Sequence, residues 1–160
     1  IHSVTASENI VDGIPHKKDD LRIGRSALVN LIPTSTGAAK ATAKAVVSLK
    51  NKFDGISVRV PSIDVSLTDF TFVTKKKTTV EDINRLFIKA ARSARWKGIL
   101  DVTEEPLVSS DFIGSPHASV VDLGMTRVVD GDLVKVLAWY DNEWGYSQML
   151  LDMVDHVGKM

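Results

Sequence analysis

Apolar and polar positions change rhythm along the chain, and each change predicts an element. Residues 65–73 alternate, with Val65, Leu67, Phe70 and Phe72 set among Ser66, Thr68 and Thr71. Alternate side chains of a strand share a face, so this stretch reads as a strand. A weaker alternation covers 55–60, and Pro61-Ser62 separates the two. Residues 133–140 are almost continuously apolar, as in a buried strand, and shorter strands are expected at 98–102, 107–109 and 118–123. Helical period takes over at 79–95, where Val80, Ile83, Phe87, Ala90, Ala91 and Ala94 fall on one face. Thr78 and Glu81 stand at capping-box spacing before it. A last helix is expected over 144–156, with Met149, Leu150, Met153 and Val157 turned inward. The Ala and Lys content of 37–49 predicts one more helix. Residues 12–30 keep neither rhythm: Asp12-Gly13-Ile14-Pro15 is turn chemistry, and a solvated charge run follows over 16–20. Loops of this length in a domain tend to be functional. Strands with segregated helices predict an α+β fold, a mostly antiparallel sheet covered on one face by helices, in one domain over 1–160.

Composition narrows the function classes. The 160 residues are enough for a sizeable core. Twenty basic and 20 acidic side chains cancel, which argues against a nucleic-acid partner bound through bulk charge. There is no cysteine, so this stretch supplies no disulfide, thiolate metal site or thiol nucleophile. No apolar run approaches a membrane span, and a cytoplasmic protein is the expectation. The sequence opens on Ile1-His2 rather than Met, as though in mid-strand, and is expected to be a piece of a longer protein.

Four places could carry chemistry. In Pro33-Thr34-Ser35-Thr36-Gly37-Ala38-Ala39-Lys40-Ala41, hydroxyl residues run through Gly37 into a helix. That is either an ordinary capped helix start or a pocket whose unpaired N–H groups take an anion. Arg59 interrupts an apolar strand, as an edge residue or as a fixed guanidinium for phosphate or carboxylate. His2, with Ser3, Thr5 and Ser7 close behind, is either a strand histidine without a task or a proton carrier. His16, His117 and His156 show no ligand spacing, and no metal site is expected. Trp139-Tyr140-Asp141-Asn142-Glu143-Trp144-Gly145-Tyr146-Ser147 is aromatic packing around a turn, or a flat-ring pocket with an amide that would suit a nicotinamide. No Gly-rich βαβ fingerprint is present.

These pieces, with Ile1-His2-Ser3-Val4-Thr5-Ala6-Ser7, Asp20-Leu21-Arg22-Ile23-Gly24-Arg25 and the segments 30–41, 53–61, 106–112 and 138–147, occur in an order and spacing that resembles the catalytic domain of phosphorylating glyceraldehyde-3-phosphate dehydrogenases. The resemblance covers nearly the whole chain. It implies that His2 activates a cysteine thiol and later donates a proton. It implies that Thr5, Ser7 and Arg59 hold the phosphate of glyceraldehyde 3-phosphate, and that Arg22, Thr36 and Gly37 hold inorganic phosphate. Asn142 and Tyr146 would contact the nicotinamide of NAD, and the loop through 13–30 would reach towards a neighbouring subunit of a homotetramer. Val4 and Glu8 depart from the family pattern, and neither coincides with an assigned role. In the family the cysteine and the NAD-binding Rossmann domain precede the histidine. This chain has neither, and alone is expected to be inactive. Two alternatives stand beside this reading: a relative that oxidises erythrose 4-phosphate, and a non-enzymatic anion-binding or assembly module.

Overall fold

A computed structural model describes residues 1–15 and 20–160, which divide into two units, Ile1–Ile63 and Asp64–Met160. Most of the expected charge run, residues 16–19, lies outside the described residues.

In the first unit, β1 (Ile32–Ser35) and β2 (Ile56–Arg59) pair antiparallel, with Ile32 opposite Arg59 and Ser35 opposite Ile56. The start of the chain lies along β2 through a parallel bridge between His2 and Arg59. There His2 N–H donates to the Val58 carbonyl (2.8 Å) and Val60 N–H donates to that of His2 (3.0 Å). The expected helix over 37–49 is split into α1 (Ala38–Ala45) and a 3-10 turn, Val47–Leu49. The break falls at Val46-Val47, whose branched side chains crowd the preceding helical turn. The long connection before β1 is fastened across its base. Gly13 N–H donates to the Gly24 carbonyl (2.8 Å), Ala27 N–H to that of Asn9 (2.9 Å), and Ser26 N–H to the Asp12 carboxylate (2.8 Å).

The second unit is built on a four-stranded sheet, β3 (Ser66–Val73), β6 (Leu133–Tyr140), β5 (Ser119–Val129) and β4 (Leu100–Thr103), in that order. Both pairings of β6 are antiparallel, and β4 runs parallel to β5. The amphipathic helix α2 (Val80–Ala91) packs on the sheet with Ile83, Phe87 and Ile88 against Val121, Leu123, Val134, Val136 and Ala138. Its cap is Thr79 rather than Thr78, the Thr79 side chain accepting from Asp82 N–H (3.2 Å). Thr78 N–H is drawn instead to the Gly131 carbonyl of the β5–β6 turn (2.7 Å). Lys77 reaches the same turn, 3.0 Å from the Asp132 carboxylate. A second cluster joins Val65, Phe112 and Val120 to Leu107 and Trp139, with the Phe112 and Trp139 rings stacked at 5.3 Å.

Further expectations are corrected in this unit. Residues 107–109 form no strand. The Asp111 carboxylate takes Val108 N–H (2.8 Å) and closes a 3-10 turn, Ser109–Phe112, which delivers Phe112 to Trp139. β5 continues past the expected end at 123 to Val129, across a register shift between Asp122 and Arg127. The last helix, α3 (Trp144–Gly158), begins where expected, but Leu150, Met153 and Val157 are 51%, 59% and 59% exposed. Among the described residues, these three side chains are not turned into a core.

Candidate functional site

His2, Thr5, Ser7 and Arg59 come together in the first unit, where the chain start runs along β2. The Arg59 guanidinium donates through Nη1 to His2 Nδ1 (2.6 Å) and to the Ser3 carbonyl (3.2 Å). His2 Nδ1 also lies 2.9 Å from that carbonyl. The nitrogen therefore stands between a carbonyl that would accept its proton and a guanidinium that would donate to its lone pair. Burial pushes the His2 pKa down; the Ser3 carbonyl pulls it up, and the nearby Arg59 charge pushes it down again. The net shift is below the ordinary histidine range, so the imidazole is neutral at physiological pH and able to take a proton.

Glu8, set aside in the sequence reading, sits among these residues. Its Oε2 accepts from Thr5 N–H and from Thr5 Oγ1, both at 2.6 Å. Its Oε1 accepts from Ser7 Oγ (3.0 Å) and lies 3.4 Å from Arg59 Nη2. Burial works to raise the Glu8 pKa, but the Thr5 donors, Arg59 and Ser7 outweigh it and hold the carboxyl below the ordinary glutamate range. Glu8 thus contacts Thr5, Ser7 and Arg59 at once, the three residues to which the resemblance gives a role. A signal for it was present, because Thr5 and Glu8 have the spacing at which a hydroxyl residue and a carboxylate cap one turn reciprocally. The Glu8 N–H completes that turn on the Thr5 carbonyl (3.1 Å).

A cavity of about 210 Å³ opens beside the cluster, lined by Ser7, Glu8, Arg59, Arg25, Thr34 and Ser35 among others. Thr36 and Gly37 follow directly in the chain. Gly37 is the α1 N-cap residue and offers no side chain, while Thr36 Oγ1 accepts from Ala38 N–H (3.1 Å). Arg22 sits on the 3-10 turn Leu21–Gly24 with its guanidinium 2.9 Å from Asp20 and is absent from the cavity lining. Arg25, directly after that turn, lines the cavity while pairing with Asp12 (3.0 Å), and sequence reasoning gave it no role.

The second unit carries Asn142 and Tyr146 at the start of α3. The buried Asp141 carboxylate fixes that start by accepting from Trp144 N–H (2.7 Å), Glu143 N–H (2.9 Å) and Gly114 N–H (2.8 Å). Ser66 Oγ donates to Asn142 Oδ1 (2.7 Å), which orients the amide. Tyr146 is 68% exposed one turn into the helix. An oriented amide and an open aromatic ring fit the carboxamide and face of a nicotinamide. Among the described residues no group of three His, Asp or Glu side chains is placed to hold a metal, and no helix is long and apolar enough to cross a membrane.

The family described as glyceraldehyde 3-phosphate dehydrogenase, C-terminal domain, matches residues 1–142. The chain belongs to that family. Its α+β architecture is the C-terminal domain of a glyceraldehyde-3-phosphate dehydrogenase. It is 49% identical over 159 residues to the glyceraldehyde-3-phosphate dehydrogenase of Zymomonas mobilis, covering 99% of this chain and 46% of that protein. It is 52% identical to that of Mycobacterium avium, covering 99% of this chain and 45% of that protein, and 45% identical to glyceraldehyde-3-phosphate dehydrogenase 3 of Saccharomyces cerevisiae, covering 99% and 47%. The chain spans about half the length of the curated relatives it matches.

Proposed function

We propose that these residues form the catalytic domain of an NAD-dependent phosphorylating glyceraldehyde-3-phosphate dehydrogenase of glycolysis, active as a cytoplasmic homotetramer. The observation that carries this reading is the cluster of a neutral, half-buried His2 on the guanidinium of Arg59, beside the hydroxyls of Thr5 and Ser7. Arg59, Thr5 and Ser7 hold the phosphate of the aldehyde. Once an anion draws the guanidinium away, His2 Nδ1–H can donate to the Ser3 carbonyl, leaving Nε2 to accept the proton of a cysteine thiol supplied by the rest of the protein. The thiolate then adds to the aldehyde carbonyl, and a thioester follows oxidation. Asn142 and Tyr146 would be the contacts of this chain with NAD, which, when bound, would supply the hydride acceptor for that oxidation. Thr36 and Gly37, with Arg22, receive the inorganic phosphate that cleaves the thioester to an acyl phosphate.

The test is direct. The protein expressed from the complete gene should reduce NAD when given glyceraldehyde 3-phosphate and inorganic phosphate, and should release an acyl phosphate. The 160 residues alone should reduce none. Turnover by the isolated chain, or none by the complete protein, would refute the reading.

A further inference from the structure

We propose that Glu8 is a built-in competitor for the substrate's phosphate, and so sets how strongly this enzyme prefers a phosphorylated aldehyde. The inference rests on the reading of Thr5, Ser7 and Arg59 given above. Those are the residues whose donors the Glu8 carboxylate occupies: Thr5 N–H and Oγ1 on one oxygen, Ser7 Oγ and Arg59 Nη2 on the other. A carboxylate with both oxygens engaged in this way resembles an anion already bound.

The Glu8 and Arg59 side chains are 15% and 21% exposed, so water screens their charges only in part. An incoming phosphate monoester carries a charge of about −1.5 to −2 at neutral pH. It cannot share the Thr5 hydroxyl and N–H with a second anion without like-charge repulsion. The Glu8 side chain must therefore turn out of the donors, or the phosphate must bind on fewer of them. The distances rank the contest. Thr5 is held tightly, at 2.6 Å twice, and Arg59 loosely, at 3.4 Å. Arg59 is thus the first group a phosphate recruits, and the Thr5 donors are released last. An unphosphorylated aldehyde has no group for these donors and does not enter the contest.

The experiment uses the protein from the complete gene and compares kcat/KM for glyceraldehyde 3-phosphate with that for unphosphorylated glyceraldehyde. Glu8→Gln keeps the shape and removes the charge. The ratio of the two constants should rise about tenfold, the order of one charge-assisted hydrogen bond. Sulfate, as a competitive inhibitor of the phosphorylated aldehyde, should tighten by a similar factor. Glu8→Ala should move both in the same direction. Arg59→Ala supplies the control, since it should lower the ratio. A lowered ratio in Arg59→Ala with no rise in Glu8→Gln and Glu8→Ala overturns the role of Glu8 alone. An unchanged ratio in Arg59→Ala overturns the phosphate reading and the role of Glu8 with it.

Discussion

The first unit holds two candidate anion sites that are built differently. One draws charged and hydroxyl side chains from segments far apart in sequence, Arg59 on β2 and His2, Thr5, Ser7 and Glu8 at the chain start, and links them by short contacts. Its charges are fixed before any ligand arrives. The other is a helix start, where Thr36 already caps Ala38 N–H, with Arg22 from an earlier turn held by Asp20 at the exposed surface. There the backbone supplies most of the donors, and the side chains offer little fixed charge. The segment most conspicuous in the sequence belongs to the less wired site. A local motif shows in one stretch of chain, whereas a site assembled by tertiary pairing shows only once β2 lies beside residue 2.

Breaking the wired site at its base should have the largest effect. His2→Asn removes the proposed proton acceptor, and kcat of the complete enzyme should fall about 10²–10⁴-fold. In the unaltered enzyme kcat/KM should decline on the acid side with a midpoint below the ordinary histidine range. The lowered pKa keeps the base neutral, and hence active, down to that point, and protonation below it removes the base. A pH profile of both proteins checks this, because the variant should lose that acid limb.

The next effect is structural. Gly24 lies between Ile23 and Arg25, both lining the cavity, and an added Cβ would stand 2.6 Å from the Gly13 carbonyl oxygen and 3.0 Å from Pro15 N. Gly24→Ala must push backbone aside, at a cost of about 1–3 kcal/mol. Thermal unfolding should register the loss, and KM for glyceraldehyde 3-phosphate should rise as the wall shifts.

Much of the architecture was legible because it is periodic. The alternation of Phe70 and Phe72 about Thr71, the apolar run into Trp139 and the stripe of Ile83 and Phe87 each named its element within a few residues. The 3-10 turn at Ser109–Phe112 escaped because a side chain, Asp111, overrides the local preference for a strand. Helical period found α3 but could not say what covers Leu150, Met153 and Val157, since period reports a face and not its partner. Val65 holds a positive φ of 65°, a strained state for a β-branched residue, while its side chain is buried beside Phe112 and Val120. No sequence pattern announces such a residue. At the site, Thr5, Ser7 and Arg59 were nameable singly, but their convergence on the Glu8 carboxylate was not.

Two separate anion sites should respond separately to substitution. The most direct test measures, in the complete enzyme, KM for glyceraldehyde 3-phosphate and KM for inorganic phosphate in Arg59→Ala and Thr36→Ala. The pattern should be crosswise. Arg59→Ala should raise the aldehyde constant by about tenfold or more, well beyond its effect on the phosphate constant. Thr36→Ala loses a cap worth about 1 kcal/mol and should raise the phosphate constant a fewfold, with the smaller change in the aldehyde constant. Both variants shifting both constants by the same factor would contradict the account.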